Sequence, residues 1–173
     1  MLYMVELDFA DPARLEQWEA WYGAHLLKLL NIPGFLSAQR FRSLSPCSSP
    51  FLAVYQVESQ AVFSSEPYRS RAGPSSPGEW IPLMINWKRN LFEGQVAPPQ
   101  PAEGQYLAVV DRILDNDPAL PSGMIRLPAL ALDRSVIERG IAVCDSAQAK
   151  AMVSGRTPDS GRIFRALTPL MRA

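Results

Sequence analysis

DPARLEQWEAWYGAHLLKLLNIPG, residues 11–34, is a helix with both of its ends written into the sequence. The Asp11 side chain can accept a bond from an orphan backbone N–H of the first turn. Pro12 at the first helical position loses nothing, because its missing donor would be unpaired anyway. Asn31 and the Pro33-Gly34 pair stop the helix. Between these ends Leu15, Trp18, Tyr22, Leu26 and Leu29 recur at spacings of three and four, which places them on one apolar face. Trp21, His25 and Lys28 share a stripe beside that face. The only histidine of the chain therefore borders a buried surface.

Outward from this helix the pattern changes to a period of two. In residues 2–9 Tyr3, Val5, Leu7 and Phe9 face one way and Met4, Glu6 and Asp8 the other, which is a strand. Phe35 to Arg42 reads as a second strand and Phe51 to Glu58 as a third, separated by the turn SLSPCSSP. Ser59 to about Arg71 reads as a weaker helix, divided at Glu66-Pro67 into two short pieces. After the loop GPSSPG, Trp80 to Leu83 reads as a helical turn and Ile85 to Glu93 as a fourth strand. The order β-α-β-β-α-β is that of a ferredoxin-like unit.

Three short motifs carry a resemblance: Trp21-Tyr22-Gly23-Ala24-His25-Leu26, Pro33-Gly34-Phe35 and Arg40-Phe41-Arg42. Together they resemble the dimeric α/β-barrel superfamily of ferredoxin-like proteins, and among these the small EthD-like members. The likeness is good over the first half of the chain and weak over the second. Ala24 stands where many such sequences have an acidic residue. The resemblance implies a barrel of two facing sheets, often shared between two chains, and places the histidine motif near a cavity between helix and sheet. Relatives in the superfamily include cofactor-independent oxygenases, isomerases, cyclases and decarboxylating enzymes, and some families bind haem. His25 as an axial haem ligand is thus an alternative to His25 as a general acid/base.

The second half repeats the first in degenerate form. The expected division is a ferredoxin-like half over 1–95, a linker over 96–104 whose composition is VAPPQPAEG, and a second half over 105–173 sharing one barrel. GQYLAVVDRILD matches MLYMVELDFAD as a strand, Gly123 to Leu132 stands where Phe35 to Arg42 stood, and GIAVCDSAQAKAM parallels LAVYQVESQAVF. Arg162 to Met171 would close the repeat. Only NDPALPSG separates its first two strands, which leaves no room for a helix the size of the first. The fold class is therefore α+β, an α/β barrel of two tandem halves with the first helix missing from the second. A missing helix would bare Leu107, Val109, Ile113, Leu130 and Leu132, and a homodimer through that face is the expected outcome.

Composition narrows the function classes. Seventeen Lys plus Arg balance seventeen Asp plus Glu, which argues against a nucleic-acid surface, since phosphate binding normally needs a basic excess. The sequence contains no apolar run long enough to span a bilayer. The N-terminus lacks a basic region and reads as a strand, so a signal peptide is not expected. Cys47 and Cys144 lie far apart with no metal-binding spacing and read as reduced thiols of a cytoplasmic protein. There is no glycine-rich phosphate loop and no nucleophile elbow. With one histidine, a catalytic zinc held by the protein is not expected.

The candidate site residues follow. His25 titrates in the range useful for general acid/base work, or else packs as a helix histidine and bonds one carbonyl. Glu6 and Asp8 on one face of the first strand could share a proton inside a barrel, be solvated, or pair with Arg40 and Arg42. Arg40 and Arg89 offer bidentate bonds to an anionic group, or are surface arginines. Trp21, Tyr22, Tyr55 and Trp87 would line an apolar pocket or simply be core. The expected activity is that of a small-molecule enzyme, of oxygenase, isomerase, cyclase or lyase type, that binds an apolar or aromatic compound in the barrel. Haem binding and non-catalytic binding or assembly are the alternatives.

Overall fold

The alternation in residues 2–9 becomes strand β1 (Leu2–Phe9) in the computed structural model, which describes residues 1–73, 75–94 and 96–173. The Asp11 carboxylate accepts the Ala13 N–H at 3.0 Å and opens a 3-10 turn over Pro12–Arg14. Helix α1 (Leu15–Leu30) continues from it and ends at Asn31. Gly34, at φ +94, reverses the chain into β2 (Phe35–Ser43). A Cβ there would lie 2.4 Å from Val62 Cγ2, so both the conformation and the close approach need glycine.

Strand β3 is Phe51–Val57. The weaker helical segment divides as its proline suggests, into a 3-10 turn (Gln60–Ser64) and α2 (Glu66–Arg71). Ser65 Oγ accepts the Tyr68 N–H and caps α2, so Pro67 starts the second piece rather than breaking the first. A further 3-10 turn (Gly78–Leu83) leads into β4 (Met84–Phe92). The remaining elements are β5 (Tyr106–Arg112), β6 (Ile125–Leu132), β7 (Glu138–Cys144), α3 (Ser146–Val153), β8 (Gly161–Ala166) and the short β9 (Met171–Arg172). Asp145 and Gln148 form a capping box at α3. The loop expectation at Pro74 and the half boundary at Gln95 fall outside the described residues.

All strand pairs are antiparallel and run in the order β3-β1-β4-β6-β7-β5-β8-β2, and β2 returns to β3, so eight strands close into a barrel. Strand β9 adds to β2 beyond the end of β8. Closure removes the unpaired edges that an open sheet presents. The two groups β2-β3-β1-β4 and β6-β7-β5-β8 meet along β4–β6 and β8–β2.

Each strand sends alternate residues in and out. Leu2, Met4, Phe92, Leu107, Val109 and Phe164 pack inside the barrel. Tyr3, Val5, Leu7 and Phe9 point outward beneath α1, where they meet Trp18, Tyr22, Leu26 and Leu29. A register shift between Phe35 and Ser37 turns Ala38 and Arg40 outward on β2 and Phe41 inward.

The face expected to lie bare in the second half is covered. Leu107 and Val109 are fully buried inside the barrel, not outside it. Outward-facing Ala108 and Val110 are fully buried under α3 and under Leu120 and Met124 of the 113–124 connection. That connection lies flat because residue 140 has no side chain. A Cβ on Gly140 would meet Met124 Sδ at 2.9 Å and Leu120 at 3.3 Å. A loop thus does the covering for which a helix was expected, and only Ile113 and Leu130 of the five named residues are well exposed.

No helix among the described residues is long and apolar enough to cross a membrane. Both cysteines are free.

Candidate functional site

Two places in this fold gather chemically capable side chains, one inside the barrel and one outside it.

Inside, Glu6 of β1 meets three residues from the other half of the chain. Arg139 donates to Glu6 and, through Nε at 2.7 Å and Nη2 at 2.8 Å, to both oxygens of Asp111. Arg162 bridges Glu6 and Asp111 in the same way. All four residues are at most 2 % exposed. Two carboxylates and two guanidinium groups balance in charge, which burial of ions requires. Burial alone would raise the Glu6 carboxyl, but Arg139 and Arg162 outweigh it and hold the group at about 2. Arg139 is raised despite its burial, by Asp111 and Glu6. All four carboxylate oxygens accept from the two guanidinium groups, while Arg162 Nε is buried without a partner, and the network joins the two halves.

The pairing considered for Glu6 and Asp8 with Arg40 and Arg42 does not occur. Strand β1 lies between β3 and β4, and β2 is not its neighbour. Arg40 stands on the outer face, its guanidinium 4.4 Å from the Tyr22 ring centre and 5.2 Å from that of Trp18. Asp8 accepts the Phe9 N–H at 2.8 Å.

Outside, α1, α2 and the outer faces of β1, β3 and β4 enclose a cavity of about 30 Å³. His25, Trp21, Tyr22, Tyr55, Trp87 and Arg89 all line it. Three elements bring these six together. The α1 stripe supplies Trp21 and His25, the apolar face supplies Tyr22, and outward positions of β3 and β4 supply Tyr55, Trp87 and Arg89. The barrel interior, where the sequence reading put the ligand, holds the buried cluster of Leu2, Met4, Phe92 and Phe164 together with the Glu6 network.

The His25 ring stacks on Trp21 with centroids 5.0 Å apart and planes at 17°, and meets the Tyr22 edge at 5.8 Å. Burial, with Lys28 adding to it, lowers the imidazole from 6.5 to about 4. His25 is therefore neutral at pH 7, able to accept a proton but not to deliver one as imidazolium. Four phenols complete the wall. Tyr3 stacks on Tyr55 at 5.3 Å, Tyr22 and Tyr55 bear on each other, and so do Tyr3 and Tyr68. Burial raises all four and keeps them protonated. Arg89 pairs with Asp133 at 3.5 Å on the rim.

Sequence reasoning did not single out Tyr3, Tyr68 or Ser76 of this wall. Tyr3 was legible as an outward residue of β1. Tyr68 and Ser76 arrive through α2 and the loop after it, where the sequence has no periodicity to follow. Two wall residues carry buried polar atoms with no hydrogen-bond partner, Ser76 Oγ and Trp87 Nε1.

Among the described residues no group of three His, Cys, Asp or Glu side chains could hold a metal ion. At about 30 Å³ the closed cavity holds a water molecule, and is smaller than either a porphyrin or a single aromatic ring. No protein-family model matches the chain, and no curated protein and no solved structure matches it. The likeness to EthD-like proteins therefore stands on the motifs quoted above.

Proposed function

We propose that the chain binds a small aromatic compound in the cavity under α1, with neutral His25 as the general base of the site. The observation that carries this reading is the convergence of His25, Trp21, Tyr22, Tyr55, Trp87 and Arg89, drawn from three elements, on one cavity. Aromatic walls with a few polar groups are what small-molecule sites present. One benzene ring needs about 150 Å³, so the ligand enters by turning the half-buried Trp21 or Trp87 side chain outward. At pH 7 His25 acts as an acceptor, which narrows acid/base chemistry to proton abstraction from the bound compound. Proton abstraction of this kind can serve activities of oxygenase, isomerase, cyclase or lyase type.

The test uses the single histidine. Its ring signals form one resolved NMR probe, and small aromatic fragments added one at a time should shift them. A fragment set that binds nowhere near His25 would overturn the reading. Where a fragment is turned over, His25→Gln should keep binding and lower the rate about 10²–10⁴-fold.

The two strand groups have equivalent internal orders, and this supports reading them as tandem ferredoxin-like halves. For the proposed homodimer the covered outer face no longer provides a surface. A smaller patch does: Ile113, Leu114, Leu130 and Ile137 are exposed, and the Ile137 backbone bonds to Arg112 and Ala129 beside them. Light scattering at tens of micromolar should give twice the chain mass and Ile137→Asp the single mass; a monomeric native chain would remove this proposal.

A further inference from the structure

The charge and hydrogen-bonding character of the cavity go beyond "aromatic". Three cations act on its walls: Lys28 on His25, Arg40 on Tyr22 and Tyr55, and Arg89 on Tyr3 and Tyr68. No carboxylate lines the cavity among the described residues. The acidic groups that do face these cations stand behind them. Asp133 accepts the Arg89 backbone N–H at 2.7 Å and its other oxygen lies 3.5 Å from the guanidinium. Glu19 lies near Arg40, yet Arg40 Nη2 and Glu19 Oε1 are both buried without a partner. Lys28 is exposed on α1.

The polar groups of the wall are mostly donors. Trp87 Nε1 can only donate, and it is buried without an acceptor. Ser76 Oγ is in the same condition. The phenols are protonated and bonded in the pairs Tyr3–Tyr68 and Tyr55–Tyr22, which leaves one hydroxyl of each pair to donate to a ligand. His25 supplies an acceptor nitrogen. A ligand complementary to this wall brings oxygen acceptors and negative charge on a flat ring.

Resting on the site proposed above, we infer that the cavity selects an aromatic carboxylate over neutral or cationic aromatic compounds. With Trp21 turned outward to admit it, the ring stacks against Trp87 and the tyrosines. The carboxylate takes hydrogen bonds from the Arg89 side of the wall, where the Arg89 guanidinium lies 5.7 Å from the Trp87 ring centre and bears on Tyr68. Charge-assisted bonds of this kind are about twice as strong as neutral ones.

Calorimetric titration at pH 7 with benzoate, benzamide, benzylamine and acetate separates the alternatives. Benzoate should bind at least about tenfold more tightly than benzamide, benzylamine more weakly than either, and acetate not measurably. Arg89→Gln should abolish the preference for benzoate over benzamide. Lys28→Gln, on the exposed side of α1, should fold normally and reduce benzoate affinity by a smaller factor, about twofold. Benzamide binding as tightly as benzoate, or benzylamine more tightly, overturns the selectivity while the site itself stands. Acetate binding as tightly as benzoate overturns the requirement for a ring. If no aromatic probe binds or shifts His25, the site proposal fails, and the selectivity with it.

Discussion

Glu6→Gln is the perturbation whose size the fold determines most closely. It leaves Arg139 and Arg162 facing Asp111 alone, all of them inside the barrel. Removing one partner of a buried ion pair costs about 3–5 kcal/mol, because an uncompensated charge stays behind. A second route gives the same scale. The Glu6 carboxyl falls from 4.5 to about 2 on folding, and at ~1.4 kcal/mol per pH unit that is about 3 kcal/mol of stability. The folded value is the lower one, so this stability is complete above pH 4.5 and is lost as pH falls toward 2. In a chain of this size the loss should lower the melting temperature by about 6–20 °C. Urea unfolding of the native chain, Glu6→Gln, Arg162→Met and the double variant measures it. The double variant retains one carboxylate, Asp111, against one guanidinium, Arg139. Its loss should fall short of the sum of the single losses by more than about 1 kcal/mol. A Glu6→Gln protein within about 1 kcal/mol of the native chain would refute the claim that these charges hold the halves together.

His25 adds a second acid-sensitive window. Its folded value of about 4 lies below its unfolded 6.5, so stability is full above pH 6.5 and declines as pH falls toward 4. At pH 5 the native chain should have lost about 2 kcal/mol relative to pH 8. Denaturant midpoints of His25→Gln should stay level over pH 8 to 5, and a parallel decline in both proteins would contradict the burial of the ring. Leu120→Ala should cost about 2–5 kcal/mol as a buried leucine, read from urea midpoints. A loss below about 0.5 kcal/mol would show that the 113–124 connection does not cover the second half. Gly140→Val should lift the same connection and cost about 1–3 kcal/mol, with amide exchange speeding up at Ala108 and Val110; unchanged exchange there would count against it.

Much of the first half was legible because its signals are local. Capping at Asp11, the stop at Gly34 and the alternation of Leu2–Phe9 each depend on a few adjacent residues, and the elements start and stop where those residues place them. The six residues of the outer cavity were nameable for the same reason, since each stands on a regular face of α1, β3 or β4. What could not be read depends on distance. Glu6 meets Arg139 and Arg162 across separations of 133 and 156 residues, and nothing in either local pattern identifies the partner. The facing of Arg40 was hidden by the register shift at Phe35, since a single inserted residue reverses every side chain beyond it. The cover over Ala108 and Val110 was hidden because Leu120 and Met124 lie in a segment with no period.

The most direct test of the central claim is the titration of His25 itself, followed by NMR through its ring carbons and nitrogens in the folded chain. An imidazole enclosed between Trp21 and Tyr22 should stay neutral through pH 5 and take up its proton with a midpoint of about 4. A midpoint at the ordinary 6.5 would place the ring in water, outside any aromatic cavity, and would contradict the account.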